Sequence, residues 1–138
     1  MRRALAFVCA AVLAWPLASC GRETRHDVRL SVEQIASISS EAAIMADDLE
    51  RGKTKTTFVR VHGEELSSQA EHEAEKLNDA PMAPELRERA EKAIGLASEI
   101  GGAIDDMRVS PHDREKARQA EEDLRKWADE ARAIAESM

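Results

Sequence analysis

Between residues 84 and 108 one set of apolar side chains, Leu86, Ala90, Ala93, Ala97, Ile100, Ile104 and Met107, is spaced in steps that alternate strictly between four and three. A strand sends alternate side chains to opposite faces, so this spacing excludes a sheet and gathers all seven on one narrow stripe of an α-helix. Such a stripe is the seam of a helix packed against other helices. The same spacing recurs at Ile35, Ile38, Ala42, Met45 and Leu49, then at Val59, Gly63, Leu66, Ala70, Ala74 and Leu77. It returns at Ala117, Ala120, Leu124, Trp127, Ala131, Ile134 and Met138. Four such segments joined by a few residues each predict an all-α fold, an antiparallel up-down-up-down four-helix bundle with coiled-coil-like, Ala-rich seams. The bundle is expected over 31–138, with helices over 31–51, 56–78, 84–108 and 111–137.

Local signals set those boundaries. Ser31 stands three residues before Gln34 in a capping-box pattern, with Leu30 and Ile35 placed as a hydrophobic staple. Gly52, between Arg51 and Lys53, stops the first helix. Thr56 to Val61 is rich in β-branched residues that also suit a strand, but no second strand is available to pair with it, so the second helix is extended back to Thr56. Asn78-Asp79-Ala80-Pro81 ends it, and Pro84 opens the third helix at its first position. Gly101-Gly102 predicts a kink or a close helix approach. Ser110 as cap, Pro111 as first residue and Asp113 at the third position start the fourth helix.

Alanine holds so many seam positions that helix axes are expected near the low end of the usual spacing of about 8–10 Å. Alanine also buries little apolar area, so Leu49, Leu66, Ile100, Leu124, Trp127 and Ile134 are expected to supply most of the core. The consequence is either a marginal monomer or a bundle that gains burial by pairing with itself or with another helical protein. The outer faces carry pairs such as Glu85/Arg89, Glu88/Lys92, Glu121/Arg125 and Glu122/Lys126, each a Glu four residues before its cation. Glu73 projects near the inner face, where a cation from a neighbouring helix is expected to meet it.

The first twenty residues have a different character. Arg2 and Arg3 precede a nearly unbroken apolar run from Ala4 to Leu17 that ends in small residues, the layout of a secretory signal. Fourteen residues rise about 21 Å as a helix, short of a hydrocarbon core of about 30 Å. Leu17-Ala18-Ser19-Cys20 resembles the lipobox of bacterial lipoprotein precursors, a resemblance confined to residues 1–20. It implies cleavage after residue 19, a membrane lipid joined by thioether to Cys20, and further acylation of the palmitate type. Cys9 would leave with the leader, so Cys20 would otherwise be an unpaired thiol in an exported, oxidising compartment; acylation consumes it. Two or three acyl chains hold a protein to a bilayer almost permanently. The resemblance also implies an extracytoplasmic location, with the outer membrane favoured in a two-membrane cell because Gly21 and Arg22 follow in place of an Asp. Residues 20–30, with Arg22, Arg25, His26 and Arg29, are expected to form a polar tether, either lying against anionic headgroups or simply solvated.

Charge excludes one class of partner. The chain has 20 Lys and Arg against 27 Asp and Glu for a net charge of −7, and losing Arg2 and Arg3 takes it to −9. Nucleic acid is not expected to bind such a surface. No enzyme motif appears after the leader: no Gly-rich phosphate loop, no Ser-centred elbow, no His-Glu-x-x-His and no Cys-x-x-Cys-His. His62 and His72 lie about 15 Å apart along one helix, too far to share an ion. Met45, Met107 and Met138 read as gap-filling side chains rather than haem or copper ligands. No cofactor or metal is expected.

A second stripe on the second helix, Phe58, His62, Glu65, Gln69, His72 and Lys76, lies about 100° from its inner face. Phe58, Val61, His62, Glu65 and His72 form the candidate partner surface; the alternative is an ordinary solvated flank. The expected function is that of a non-enzymatic, lipid-anchored interaction or structural module of the cell envelope. A periplasmic carrier or sensor of a small molecule, haem or metal is the alternative.

Overall fold

The computed structural model describes residues 24–138, so the leader, Cys20 and residues 21–23 lie outside the described residues. Four helices follow one another: α1 (Arg25–Glu50), α2 (Thr56–Asp79), α3 (Pro84–Val109) and α4 (Arg114–Glu136). Short connections force neighbours antiparallel, and the result is the expected up-down-up-down bundle. Its closest pairs are α1 with α4 and α2 with α3, and α1 also reaches α3 across the diagonal. One end, here called the base, holds the start of α1, the α2–α3 connection and the end of α4. There the Arg25 guanidinium donates to the carbonyl of Met138 over 2.6 Å.

Helix α1 begins at Arg25, not at residue 31, so the polar tether expected over 20–30 is corrected from Thr24 onward. Thr24 and Asp27 form the capping box, each side chain bonding the other's backbone N–H, while Ser31 lies buried inside the helix. The physical reason is a longer seam. Val28, Val32, Ile35, Ser39, Ala42, Ala46 and Leu49 step by four and three without a break, and all are buried. Arg25, His26 and Arg29 are exposed beside that seam. At the other end Gly52 adopts φ +67°, a left-handed conformation that glycine enters without strain. Its N–H donates to Leu49 O, and that of Lys53 to Asp48 O, closing a Schellman motif.

Helix α2 ends where Arg87 reaches back to the carbonyls of Asn78 and Ala80. Helix α4 starts three residues later than expected. Asp113, not Ser110, is its N-cap, with the carboxylate accepting from Lys116 N–H, and Pro111 is buried in the turn that precedes it.

The α4 seam is also turned by one residue. Ala117, Ala120 and Leu124 are buried as expected, but beyond them the buried residues are Ala128, Ala131 and Ala135, while Trp127 and Ile134 are half-buried flanks. The close α1–α4 approach accounts for this. Ser39 Oγ, fully buried on α1, donates to the Leu124 carbonyl over 2.7 Å, and Ala36 and Ala43 fill the α1 side. Small side chains let the axes come together; an indole does not fit between them. The expectation that Trp127 and Ile134 anchor the core is therefore corrected. That role falls to Ile35, Ile38, Leu66, Leu77, Ile100, Ile104, Met107 and Leu124, each at most 1% exposed.

Close approach between α2 and α3 occurs at Gly63 rather than at Gly101-Gly102. A Cβ at Gly63 would lie 2.8 Å from Arg108 Cγ, whereas one at Gly102 would meet nothing within 4 Å. Arg108 lies across the gap and bonds Arg60 O, Glu64 and Asp105. Glu73 is half-buried as expected, but its nearest cation is Lys76 of its own helix, at 3.7 Å, not one from a neighbour. Its buried Oε2 accepts no hydrogen bond among the described residues.

Candidate interaction surface

Five large apolar side chains are exposed among the described residues: Leu30, Ile44, Phe58, Val61 and Val109. Phe58 and Val61 share the first turns of α2, one step apart in helical spacing, at 51% and 67% exposure. They follow from the sequence directly, because the buried face of α2 is narrow and runs through Val59 and Gly63. Residues on either side of it must face outward.

His62 is the ordered polar centre of this surface. Its Nε2 lies 2.9 Å from Glu41 Oε1 on α1, a hydrogen bond in which the imidazole N–H donates because a carboxylate only accepts. Its Nδ1 is 3.6 Å from Glu65 Oε2. The Phe58 ring tilts by 31° against the imidazole with centroids 5.0 Å apart. Phe58, His62 and Glu65 thus come together as a unit tied to α1. Val61 borders it, and the exposed His72 stands apart, about 15 Å along the helix.

Glu41 has no signal in the sequence that marks it as part of this surface. It lies outside the seam of α1 and carries no motif, and only the packing of α1 beside α2 shows its role. Arg108 is the second such residue. Its half-buried stem covers Gly63, and its guanidinium joins α3 to the Arg60 and Glu64 edge of the same α2 segment.

Several other charged groups are held by close partners. Asp47, Glu50 and Glu121 bring carboxylate oxygens within 4.8 Å of one another, but Arg51 holds Asp47 at 2.8 Å and Arg125 holds Glu121 at 2.7 Å. The Lys92 ammonium beside Glu88 and the Arg118 guanidinium beside Glu115 keep those two exposed carboxyls below the usual range, and the Thr24 hydroxyl and N–H do the same for Asp27. Open grooves run along helix pairs of the described residues. One, of about 320 Å³, lies over the α1–α4 contact beside Ile44, Arg125 and Arg132; the second, of about 360 Å³, lies between α2 and α3 over Gly101 and Gly102; a third, of about 180 Å³, lies between α3 and α4 beside Met107 and Gln119. The second groove exists because those glycines leave α3 without side chains there.

The chain matches no protein-family model, no curated protein and no solved structure.

Proposed function

We infer that this protein is a lipid-anchored, non-enzymatic interaction module of the cell envelope, joined to the membrane through Cys20 and recognising a protein partner with the α2 surface. The observation that carries the recognition half is the Phe58–Val61 pair beside an ordered His62–Glu41–Glu65 group. Exposed apolar anchors next to a fixed polar pair are what a partner uses for affinity and register respectively. The membrane half rests on the lipobox-like Leu17 to Cys20. No described helix is long and apolar enough to cross a membrane, so a bilayer attachment of the described domain would have to be made by an anchor or a surface contact.

Photocrosslinking tests the recognition half. A benzoylphenylalanine replacing Val61, in the protein expressed in its own host, should give a discrete adduct that the same probe at exposed Glu91 does not give. An adduct of twice the chain mass identifies a second copy as the partner, and any other discrete mass identifies a different protein. Absence of a Val61-specific adduct refutes this surface.

A further inference from the structure

Thr24 caps α1 at the base, and Cys20 precedes it by four residues, a length that spans at most about 14 Å when fully extended. A lipid on Cys20 therefore holds the base, and no other part of the bundle, against the headgroups. The Arg25 bond to the Met138 carbonyl ties α1 to the end of α4 at that same end, so the first turn of α1 is fixed to the body of the bundle. The third element there is the α2–α3 connection. From Ala80 to Pro84 it reads Ala-Pro-Met-Ala-Pro, uncharged throughout, in a chain where 34% of residues are charged. Pro81 is exposed, and Leu30, near the base on α1, is 47% exposed.

Charge decides between standing and lying. Residues 24–138 carry 17 Lys and Arg against 26 Asp and Glu, a net charge of −9. Laying the long side of the bundle on an anionic leaflet would bring that charge within a Debye length of about 8–10 Å, whereas only the base is that close when the bundle stands. Asp79 and Glu85 flank the connection, so its contact with lipid is apolar and tethered rather than electrostatic.

We propose that the Ala80–Pro84 connection of the anchored protein rests on the bilayer surface and that the bundle stands upright on it. This rests on the lipid-anchor reading of Cys20. Its consequence concerns the partner surface: His62 and Phe58 lie 17 and 21 residues along α2 from Asp79, so they sit about 26 to 32 Å above the membrane. The partner must reach that height, which fits a water-exposed extracytoplasmic domain and not a membrane-buried one.

The test uses the full-length, lipidated protein purified from host membranes, in which acylation leaves no free thiol. Pro81→Cys and Lys53→Cys variants, each carrying an environment-sensitive nitrobenzoxadiazole label, are reconstituted into phosphatidylcholine vesicles with and without phosphatidylglycerol. The expected result is a blue-shifted label at position 81, quenched by spin-labelled lipid and several-fold better shielded from aqueous iodide than the label at position 53. Vesicles containing phosphatidylglycerol, which repel the acidic long side, should give it most clearly. Equal iodide access at the two positions, with acyl mass present on Cys20, overturns the upright contact and leaves the anchor standing. Lipid contact at both positions overturns it in favour of a bundle lying flat. An unacylated Cys20 in the starting protein overturns the anchor and this inference together.

Discussion

Leu124→Ala, set against Trp127→Ala, tests the α4 seam on either side of the point where sequence periodicity and structure part. Leu124 is fully buried, so truncation removes its packing on every side and leaves a cavity that the close α1–α4 pair, held by the Ser39 bond to the Leu124 carbonyl, closes poorly. A loss of about 3 kcal/mol is expected, within the span usual for buried Leu→Ala changes. Unfolding entropy of about 2.1 cal/mol/K per residue gives roughly 0.24 kcal/mol/K for a domain of this length, so the melting midpoint should fall by about 12 °C. Trp127→Ala removes a larger side chain, but one that only flanks the core, and should cost less than Leu124→Ala. Circular dichroism at the helix band, with thermal and guanidinium melts of residues 24–138, measures both. A Trp127→Ala variant less stable than Leu124→Ala would refute the seam through Ala128 and Ala131 and restore the one through Trp127.

Glycine substitutions on α2 and α3 should move stability in opposite directions. Gly102→Ala gains helix propensity with nothing in its way and should stabilise by about 0.5–1 kcal/mol, whereas Gly63→Leu drives atoms into Arg108 and Ile104 and should cost about 1–3 kcal/mol. Chemical denaturation of the two variants reads both signs, and a stabilised Gly63→Leu would contradict the close approach. Asp27, Glu88 and Glu115 have lowered folded-state pKa values, so each contributes stability that is complete above the ordinary carboxylate range and is lost as pH falls through the lowered value. Their contribution to the urea midpoint should thus hold from pH 7 to about pH 5 and fall away below about pH 4; Asp27→Asn should flatten part of that decline, and an unaltered profile would count against the Thr24–Asp27 box. Cys20→Ala should release the protein from membranes, and persistent sedimentation with the membrane fraction would contradict the anchor.

The bundle was legible because the expected seams of α1 and α3 are buried throughout, and that of α2 everywhere but at the half-buried Ala74. The start of α1 was obscured by Arg25, His26, Asp27 and Arg29, which outnumber the one seam residue, Val28, among them. Thr24-x-x-Asp27, followed by the steps from Val28 to Val32 to Ile35, is the signal that marks it. On α4 side-chain size and helix spacing point to different faces. Hydrophobicity favours Trp127 and Ile134, but the tightest helix pair selects the smallest apolar residues, and neither composition nor period tells which pair is tightest. The candidate surface was half visible for a related reason. Phe58, His62 and Glu65 share one helix, so their spacing places them together, while Glu41 joins them from another helix by tertiary packing that no local pattern encodes.

Native mass spectrometry of the tagged protein, taken from its own host's solubilised membranes, tests the anchored interaction module most directly. The expected species is a chain beginning at Cys20 that carries acyl mass there, together with a second copy or a co-purifying protein whose retention is lost when Phe58 and Val61 are both replaced by Asp. A chain with an unmodified Cys20, or a reproducible small-molecule or metal mass with no protein partner, would contradict it.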